Sequence, residues 1–443
     1  MRLKLSNYNI FTEIRSSVLV YNTITDSFLY LSKDEYEKIF VFKVFEKISD
    51  ESFPKNYQKL IEGGFLIEDE KDEYQELCNE YKMNATNSPV YHLTLLPSLD
   101  CNLRCWYCFE KHLTGSHMTL TLQNQIYLHV QSVFESQKDL NHLSIELFGG
   151  EPLLYFKEEV YPLLKKIKLY IEKSGKTVSF MCVTNGVCIE DGLIPLFDDL
   201  NMNFQISIDG YKDKHDKIKY IPKTHEGTYE HVINAVSKIV KGVKSTSINL
   251  RINYDDQTLA HAAQVMDDLL DLDRRKIRIH LERVWQTGNK MTRDNIILKD
   301  LISQLQHKGF DVSYMNLSRR SHSCKSSKKR QIVISYDGKV YKCLGRDFTE
   351  SLSEGQLNND GSVSWNHEKL DRRLRINTHK IEMCKNCTFL PQCWGPCCQK
   401  QLEANDGKLS NYCQLNLMEM SLGDFIKYKF NKAYIIRQHE MVQ

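Results

Sequence analysis

The sequence predicts an α/β protein: an incomplete parallel barrel of six strand–helix units, with a small winged-helix-like domain before it and a cysteine-rich region after it. Three observations predict this. From residue 90 onward, short β-prone runs alternate with stretches of helical periodicity, the pattern of parallel βα units. The carboxyl ends of those runs carry glycines and polar residues, where parallel βα folds place their chemistry. All but three of the 14 cysteines gather in two fields, 101–108 and 324–413. The expected divisions are 1–85, 86–310 and 311–443.

In residues 1–85, the runs 18–21 and 28–31 read as a hairpin. Ser32 and Glu35 form an S-x-x-E capping box, so a helix opens there. A second helix covers 57–62 and stops at Gly63-Gly64, before a strand at 65–67. The acidic run 68–73 reads as a linker. Strands with two or three helices make the winged-helix-like unit, which at the least caps the next domain.

Six strands are expected for the barrel, at 90–96, 143–148, 178–184, 204–208, 248–252 and 277–281. Helices lie between them, among others at 120–137, 158–173 and 229–241, and a closing helix is expected at 418–428. The strand ends, in order, carry the first cysteines, Gly149-Gly150-Glu151-Pro152, Thr184-Asn185-Gly186, Ser207 with Asp209-Gly210, Arg251 with Asn253, and Glu282, Arg283 and Trp285. Any one Gly-Gly, Asn-Gly or Asp-Gly alone is a turn former. In register with six strands they favour a site.

Cys101, Cys105 and Cys108 stand in a C-x3-C-x2-C pattern that composition alone produces roughly 0.01 times per chain. Three thiolates hold three corners of a four-iron cluster and leave one iron open. Trp106, Tyr107 and Phe109 are placed to shield such a cluster. In the second field, thirteen residues separate Cys324 from Gly338, four more lead to Cys343, and Cys384-x2-Cys387-x5-Cys393-x3-Cys397 and Cys413 follow. Asp337-Gly338 marks a hairpin that folds Cys343 back toward Cys324. Structural zinc is the competing reading of paired C-x2-C elements, although seven thiols suit one complete cluster and one open one better.

Composition excludes other classes. With 59 Lys+Arg against 57 Asp+Glu, the chain has no basic field for nucleic acid. Its N-terminus has no signal peptide, and no apolar run approaches a membrane span, so a cytoplasmic protein without a disulfide framework is expected.

The CNLRCWYC loop resembles the signature of the radical S-adenosylmethionine (radical SAM) enzymes, and the 324–413 spacing resembles the SPASM domain that follows such barrels in peptide and protein maturases. The resemblance implies three 4Fe–4S clusters and S-adenosylmethionine as cofactors. Cys101, Cys105 and Cys108 would hold the catalytic cluster, whose open iron chelates S-adenosylmethionine and cleaves it to a 5′-deoxyadenosyl radical. Gly149, Gly150 and Glu151 resemble the motif that meets the amino group, and Ser207 and Asp209 fall near ribose and carboxylate. Lys219 stands where related maturases carry an arginine, replacing a bidentate fork by a point charge. Asn185 and Arg251 are further cosubstrate contacts. Cys384, Cys387, Cys393 and Cys413 would bind a distal auxiliary cluster, and Cys324, Cys343 and Cys397 a nearer one.

Sulfatase maturases supply that nearer cluster with one more cysteine just after the first. Here Lys325, Ser326, Ser327 and Lys328 follow, so an open iron is expected, with Cys398 as a spare. The N-terminal unit resembles elements that bind a leader peptide by strand addition. The implied activity is crosslinking of a ribosomally made precursor peptide, by a thioether first and a carbon–carbon bond next. Glu282 is the candidate general base, and a flavodoxin or ferredoxin the electron donor. The alternatives are a formylglycine-generating sulfatase maturase and a non-catalytic zinc- or cluster-bearing peptide-binding protein.

Overall fold

The computed structural model describes residues 2–43, 55–284, 294–315, 317, 324–404 and 409–441; Trp285 lies outside them. Five strands open the chain: β1 (Leu3–Leu5), β2 (Asn9–Ile14), β3 (Ser17–Asn22), β4 (Ser27–Ser32) and β5 (Leu66–Glu68). β1 pairs antiparallel with β5, and β2, β3 and β4 form an antiparallel meander with β4 at one edge. The capping box forms as expected: the Ser32 side chain accepts from the Glu35 N–H at 3.2 Å, and Glu35 accepts from the Ser32 N–H at 2.9 Å.

The acidic run is not a linker. It leads into a helix, Glu73–Thr86, whose N-cap Asp72 accepts from the Gln75 N–H at 3.0 Å and whose Leu77, Cys78 and Tyr81 are buried. Negative charge is favoured at a helix N-terminus, so the same residues that suggest a solvated spacer stabilise a first turn.

The six expected barrel strands are β6 (Val90–Leu96), β7 (His142–Leu147), β8 (Thr177–Thr184), β9 (Asn203–Ile208), β10 (Ile248–Tyr254) and β11 (Ile277–Arg283). They pair in chain order and all parallel. In β7, Leu143, Ile145 and Leu147 are buried while His142, Ser144 and Glu146 are half-buried, so the two faces of the strand differ in polarity. Helices cover the apolar face; Tyr229–Gly242 buries Val232, Val236 and Ile239. The helix expected from 158 winds its first turn, Phe156–Val160, as π and becomes α at Tyr161.

The sheet does not stop at β11. β12 (Asp311–Tyr314) adds in parallel beside it, and β13 (Gln331–Ser335) lies parallel against the other side of β6. β14 (Lys339–Tyr341), β15 (Gly355–Leu357) and β16 (Val363–Trp365) continue antiparallel, making one sheet of 11 strands that ends at β12 and β16. The Asp-Gly hairpin joins β13 to β14, with Gly338 at φ +79°. Part of the cysteine-rich region therefore shares the barrel's sheet.

The closing helix runs from Leu422 to Met441, longer than expected, and buries Phe425, Ile426 and Tyr428. The N-terminal unit is tied to the cysteine-rich region: the Thr23 hydroxyl donates to the Thr388 carbonyl at 2.7 Å, and the Gln392 amide donates to the Thr23 carbonyl at 2.7 Å. Among the described residues no helix is long and apolar enough to cross a membrane.

Candidate active site and cysteine-lined cavities

At the carboxyl ends of β6 to β11 lies a cavity of ≈ 210 Å³. Cys101, Cys105 and Cys108 line it, as do Gly149, Gly150, Asn185, Ser207, Lys219 and Arg251. The cysteine loop is fixed at its start, where Asp100 accepts from the Cys101 N–H at 2.8 Å and the Gly115 N–H at 2.9 Å. The glycine loop after β7 sits directly on it: Gly150 N–H donates to the Ser98 carbonyl at 3.1 Å and Glu151 N–H to the Asp100 carbonyl at 2.8 Å. Only glycine permits this approach. A Cβ at residue 150 would lie 2.1 Å from the Asp100 oxygen, and Gly149 has φ +109°.

Burial, with the Glu151 charge next, pushes the Cys101 thiol up to about 12, and Cys105 and Cys108 also act on it. Burial raises Cys105 too, and lifts Cys108 to about 11. Three mutually interacting thiols on one cavity wall are a donor set that binds metal by releasing protons.

The remaining site residues divide. Glu151 does not line the cavity; its fully buried carboxylate accepts from Thr184 Oγ1 at 2.7 Å, Leu153 N–H at 3.1 Å and Asn185 N–H at 2.9 Å. It braces the glycine loop against the end of β8. Burial raises its carboxyl to about 7. Asn185 reaches the cysteine loop, donating from Nδ2 to Asn102 Oδ1 at 2.7 Å.

Lys219 Nζ donates to the Ser207 carbonyl at 3.0 Å and to its hydroxyl at 2.6 Å, and lies 3.7 Å from Asp209 Oδ2. Asp209 in turn accepts from the Tyr107 hydroxyl at 2.7 Å and from Asn253 Nδ2 at 3.1 Å. The fourth strand end is thus locked to the cysteine loop through Tyr107. Arg251 donates to Asn253 Oδ1 at 2.9 Å. Glu282 is not among the cavity-lining residues; it is held by His280 at 3.0 Å. Burial works to raise its carboxyl, but that hydrogen bond and the Arg251 charge hold it below the usual range, opposite to what a base tuned near neutrality needs.

Buried His215 fixes the turn after β9. Its Nδ1 accepts from the Asp209 N–H at 3.1 Å, and its Nε2 faces the Thr228 hydroxyl at 3.1 Å. Burial, helped by Lys219, lowers the ring to about 2. With an unfolded value near 6.5, this neutral imidazole stabilises fully above about pH 6.5 and progressively less as pH falls toward 2. Acidification from pH 7 to pH 5 is expected to remove about 2 kcal/mol through this one group. Denaturant titrations of wild type and H215Q across that range test it: the variant's stability is expected to fall less steeply, and parallel slopes would reject the assignment.

In the second field, Cys384, Cys387, Cys393 and Cys413 line a single cavity of ≈ 270 Å³ walled by Met383, Leu390 and Leu415. Burial raises Cys393 to about 12, and the three other thiols act on it. Cys343 interacts with Cys324 and Cys397, and Cys324 Sγ lies 3.2 Å from Ser326 Oγ. Buried Cys398 also interacts with Cys324 and Cys397. Among the described residues no group of three or more Cys, His, Asp or Glu side chains stands as a single-ion site. Two of the three cysteine sets instead line open cavities.

One cavity-lining charge, Glu110, escapes sequence reasoning, and a second, Arg283, is named at the sixth strand end without its partners. Glu110, two residues past Cys108, has an Oε2 buried without a partner; a lone carboxylate in an otherwise aromatic stretch is its only signal. Arg283 is 7% exposed, held by Glu419 and by Asp256 at 2.8 Å, with its Nη1 buried and unpartnered.

Residues 95–269 match the model of the radical SAM superfamily, and 324–388 match the SPASM iron–sulfur cluster-binding domain. The chain thus carries a radical SAM domain followed by a SPASM iron–sulfur cluster-binding domain. More particularly, it is related to peptide and protein maturases. A cysteine-type anaerobic sulfatase-maturating enzyme of Clostridium perfringens is 22% identical over 371 residues, 77% of this chain and 97% of that protein. The radical SAM cyclopropyl synthase TigE of Paramaledivibacter caminithermalis is 22% identical over 81% of this chain and 79% of its own length. In fold, native anSMEcpe with bound AdoMet matches at TM-score 0.57 and 20% identity, covering 80% of this chain and 100% of that one. Streptococcus suis SuiB bound to precursor peptide SuiA matches at TM-score 0.52 and 13% identity, covering 91% and 97%.

Proposed function

We propose that this chain modifies a ribosomally made precursor peptide, installing a thioether crosslink, with a carbon–carbon crosslink as the second product class. The observation that carries this reading is the pairing of a three-cysteine cavity with two further cysteine sets, one of which lacks a fourth cysteine after Cys324. That gap is what favours a substrate thiolate, hence a thioether. Relatives that act on peptides or proteins, the sulfatase-maturating enzyme and SuiB, support a peptide substrate. Three 4Fe–4S clusters fit the ten cysteines. When bound, the cofactors supply one-electron cleavage of S-adenosylmethionine and hydrogen abstraction from the substrate.

The chain's own groups would hold and orient. Gly149, Gly150, Asn185, Ser207, Lys219 and Arg251 would surround the cosubstrate; Asp209, buried and outside the cavity lining, would act by holding Tyr107 beside Lys219, and Glu151 by bracing that wall. Tyr107 and Phe109 line the cavity and would exclude water, whereas Trp106, expected to shield it, is 57% exposed. Residues 1–85 would bind the leader, 86–310 form the radical SAM barrel and 311–443 the auxiliary-cluster region. The β4 edge, with Tyr30 exposed, is suited to strand addition. A flavodoxin or ferredoxin would deliver the electron.

The test is incubation of reconstituted protein, S-adenosylmethionine and dithionite with a cysteine-containing peptide encoded beside the gene. Tandem mass spectrometry is expected to show a loss of two hydrogens localised to a cysteine sulfur. A loss of two hydrogens that leaves all cysteines alkylatable favours the carbon–carbon product. An unchanged peptide alongside 5′-deoxyadenosine release rejects the crosslinking assignment.

A further inference from the structure

A buried guanidinium beside the nearer cysteine set has one donor with nowhere to go. Arg373, on the helix His367–Leu374, is 6% exposed and paired with Glu354, itself 5% exposed. Its Nε donates to both carboxylate oxygens at 3.0 and 3.1 Å, and its Nη2 to Glu354 Oε1 at 2.6 Å and Gln399 Oε1 at 2.8 Å. Nη1 is buried and has no partner. A charged donor left unpaired in the interior is costly, so an acceptor is missing from its surroundings. The cysteine field lies within reach of its charge, which acts on the thiols of Cys343 and Cys398 and on buried Lys342.

The contact continues as a chain. Gln399 stands two residues past Cys397, on the helix Cys398–Glu403, and its Nε2 donates to Glu403 Oε1 at 2.7 Å. Glu403 holds a second guanidinium, accepting from Arg346 Nε at 2.8 Å and Nη2 at 2.6 Å. Arg346 lies three residues past Cys343 and interacts with Cys343 and Cys397. Glu354, Arg373, Gln399, Glu403 and Arg346 thus form one hydrogen-bonded rail along the helix that Cys397 precedes.

We infer that Arg373, with Arg346 in support, is a positioning residue for the nearer auxiliary iron–sulfur site: Nη1 donates to a sulfur of the bound cluster and raises its reduction potential. This rests on the ligand set Cys324, Cys343 and Cys397 put forward above. Hydrogen bonds to cluster sulfurs and nearby positive charge favour the more negative, reduced form. The rail fixes the fork, because each guanidinium is oriented by a carboxylate and Gln399 joins the Arg373 guanidinium to the Glu403 carboxylate.

The test is potentiometric titration of reconstituted protein followed by electron paramagnetic resonance, in a C101A/C105A/C108A parent that leaves only the auxiliary sites. R373Q is expected to shift the near-site midpoint to more negative potential, R373K to fall between, and R346Q to shift it less, since that side chain is 33% exposed and water screens it. The distal midpoint is expected to stay fixed as an internal reference. An R373Q midpoint equal to the parent's, at undiminished iron content, overturns the inference. If R373Q does not fold because Glu354 is stranded, E354Q/R373Q removes both charges together, and the same shift or its absence decides. A parent with no near-site signal overturns the ligand assignment itself; a parent with the signal and an unshifted variant overturns only the role of Arg373.

Discussion

Replacing Cys101, Cys105 and Cys108 together by alanine is expected to abolish 5′-deoxyadenosine release and to lower bound iron by about a third, from about twelve to about eight per chain. The three thiols line one cavity at the barrel's top, whereas Cys384, Cys387, Cys393 and Cys413 line another and Cys324, Cys343 and Cys397 interact elsewhere. Removing one set leaves the walls of the others untouched. Iron analysis and chromatography of the nucleoside on anaerobically reconstituted protein measure both quantities. Persistent release of 5′-deoxyadenosine would sink the assignment of this loop, and zinc in place of iron throughout would sink the radical reading.

Gly150→Ala is the second large effect. The added Cβ would meet the Asp100 oxygen at 2.1 Å, its carbonyl carbon at 2.6 Å and the Leu99 carbonyl carbon at 2.8 Å. All three are backbone atoms and cannot rotate away, so the glycine loop must lift off the cysteine loop. Overpacking of this kind costs about 1–3 kcal/mol. The same displacement opens the cavity wall between the cysteines and β7, so S-adenosylmethionine affinity is expected to fall at least about tenfold. Gly192→Ala, where a Cβ meets nothing within 4 Å, is the control. Thermal melts and equilibrium dialysis with S-adenosylmethionine compare them; a G150A protein that matches G192A in both would show that the contact is dispensable.

The parallel strands were legible because alternation of β-prone and amphipathic runs is a local signal, and parallel order follows from it. The gathering of Cys101, Gly149, Asn185, Ser207 and Arg251 at one cavity was legible for the same reason: residues at equivalent ends of adjacent parallel strands lie on one rim. What stayed hidden was direction and distance. The sequence shows a glutamate after two glycines but not that Glu151 turns away to bind Thr184 and the Asn185 N–H. It shows Lys219 near a strand end, yet not that its ammonium is bonded to Ser207. It marks a hairpin at Asp337-Gly338 without saying that the strand before it, β13, has β6 as its neighbour, since pairing across such a separation leaves no local trace. Acidic charge misled at Asp72, where a capping role and a linker look alike until Leu77 and Tyr81 are seen buried.

The pairing of β13 with β6 also has a bearing on how the protein is made. Gln331 sits opposite His92, more than half the chain's length later. On a ribosome the N-terminal parts fold first, so the outer edge of β6, and with it the flank of the loop that holds Cys101, Cys105 and Cys108, stays uncovered until the cysteine-rich region has emerged. The arrival of β13 closes that edge, so the sheet is complete only once residues 331–335 have been made.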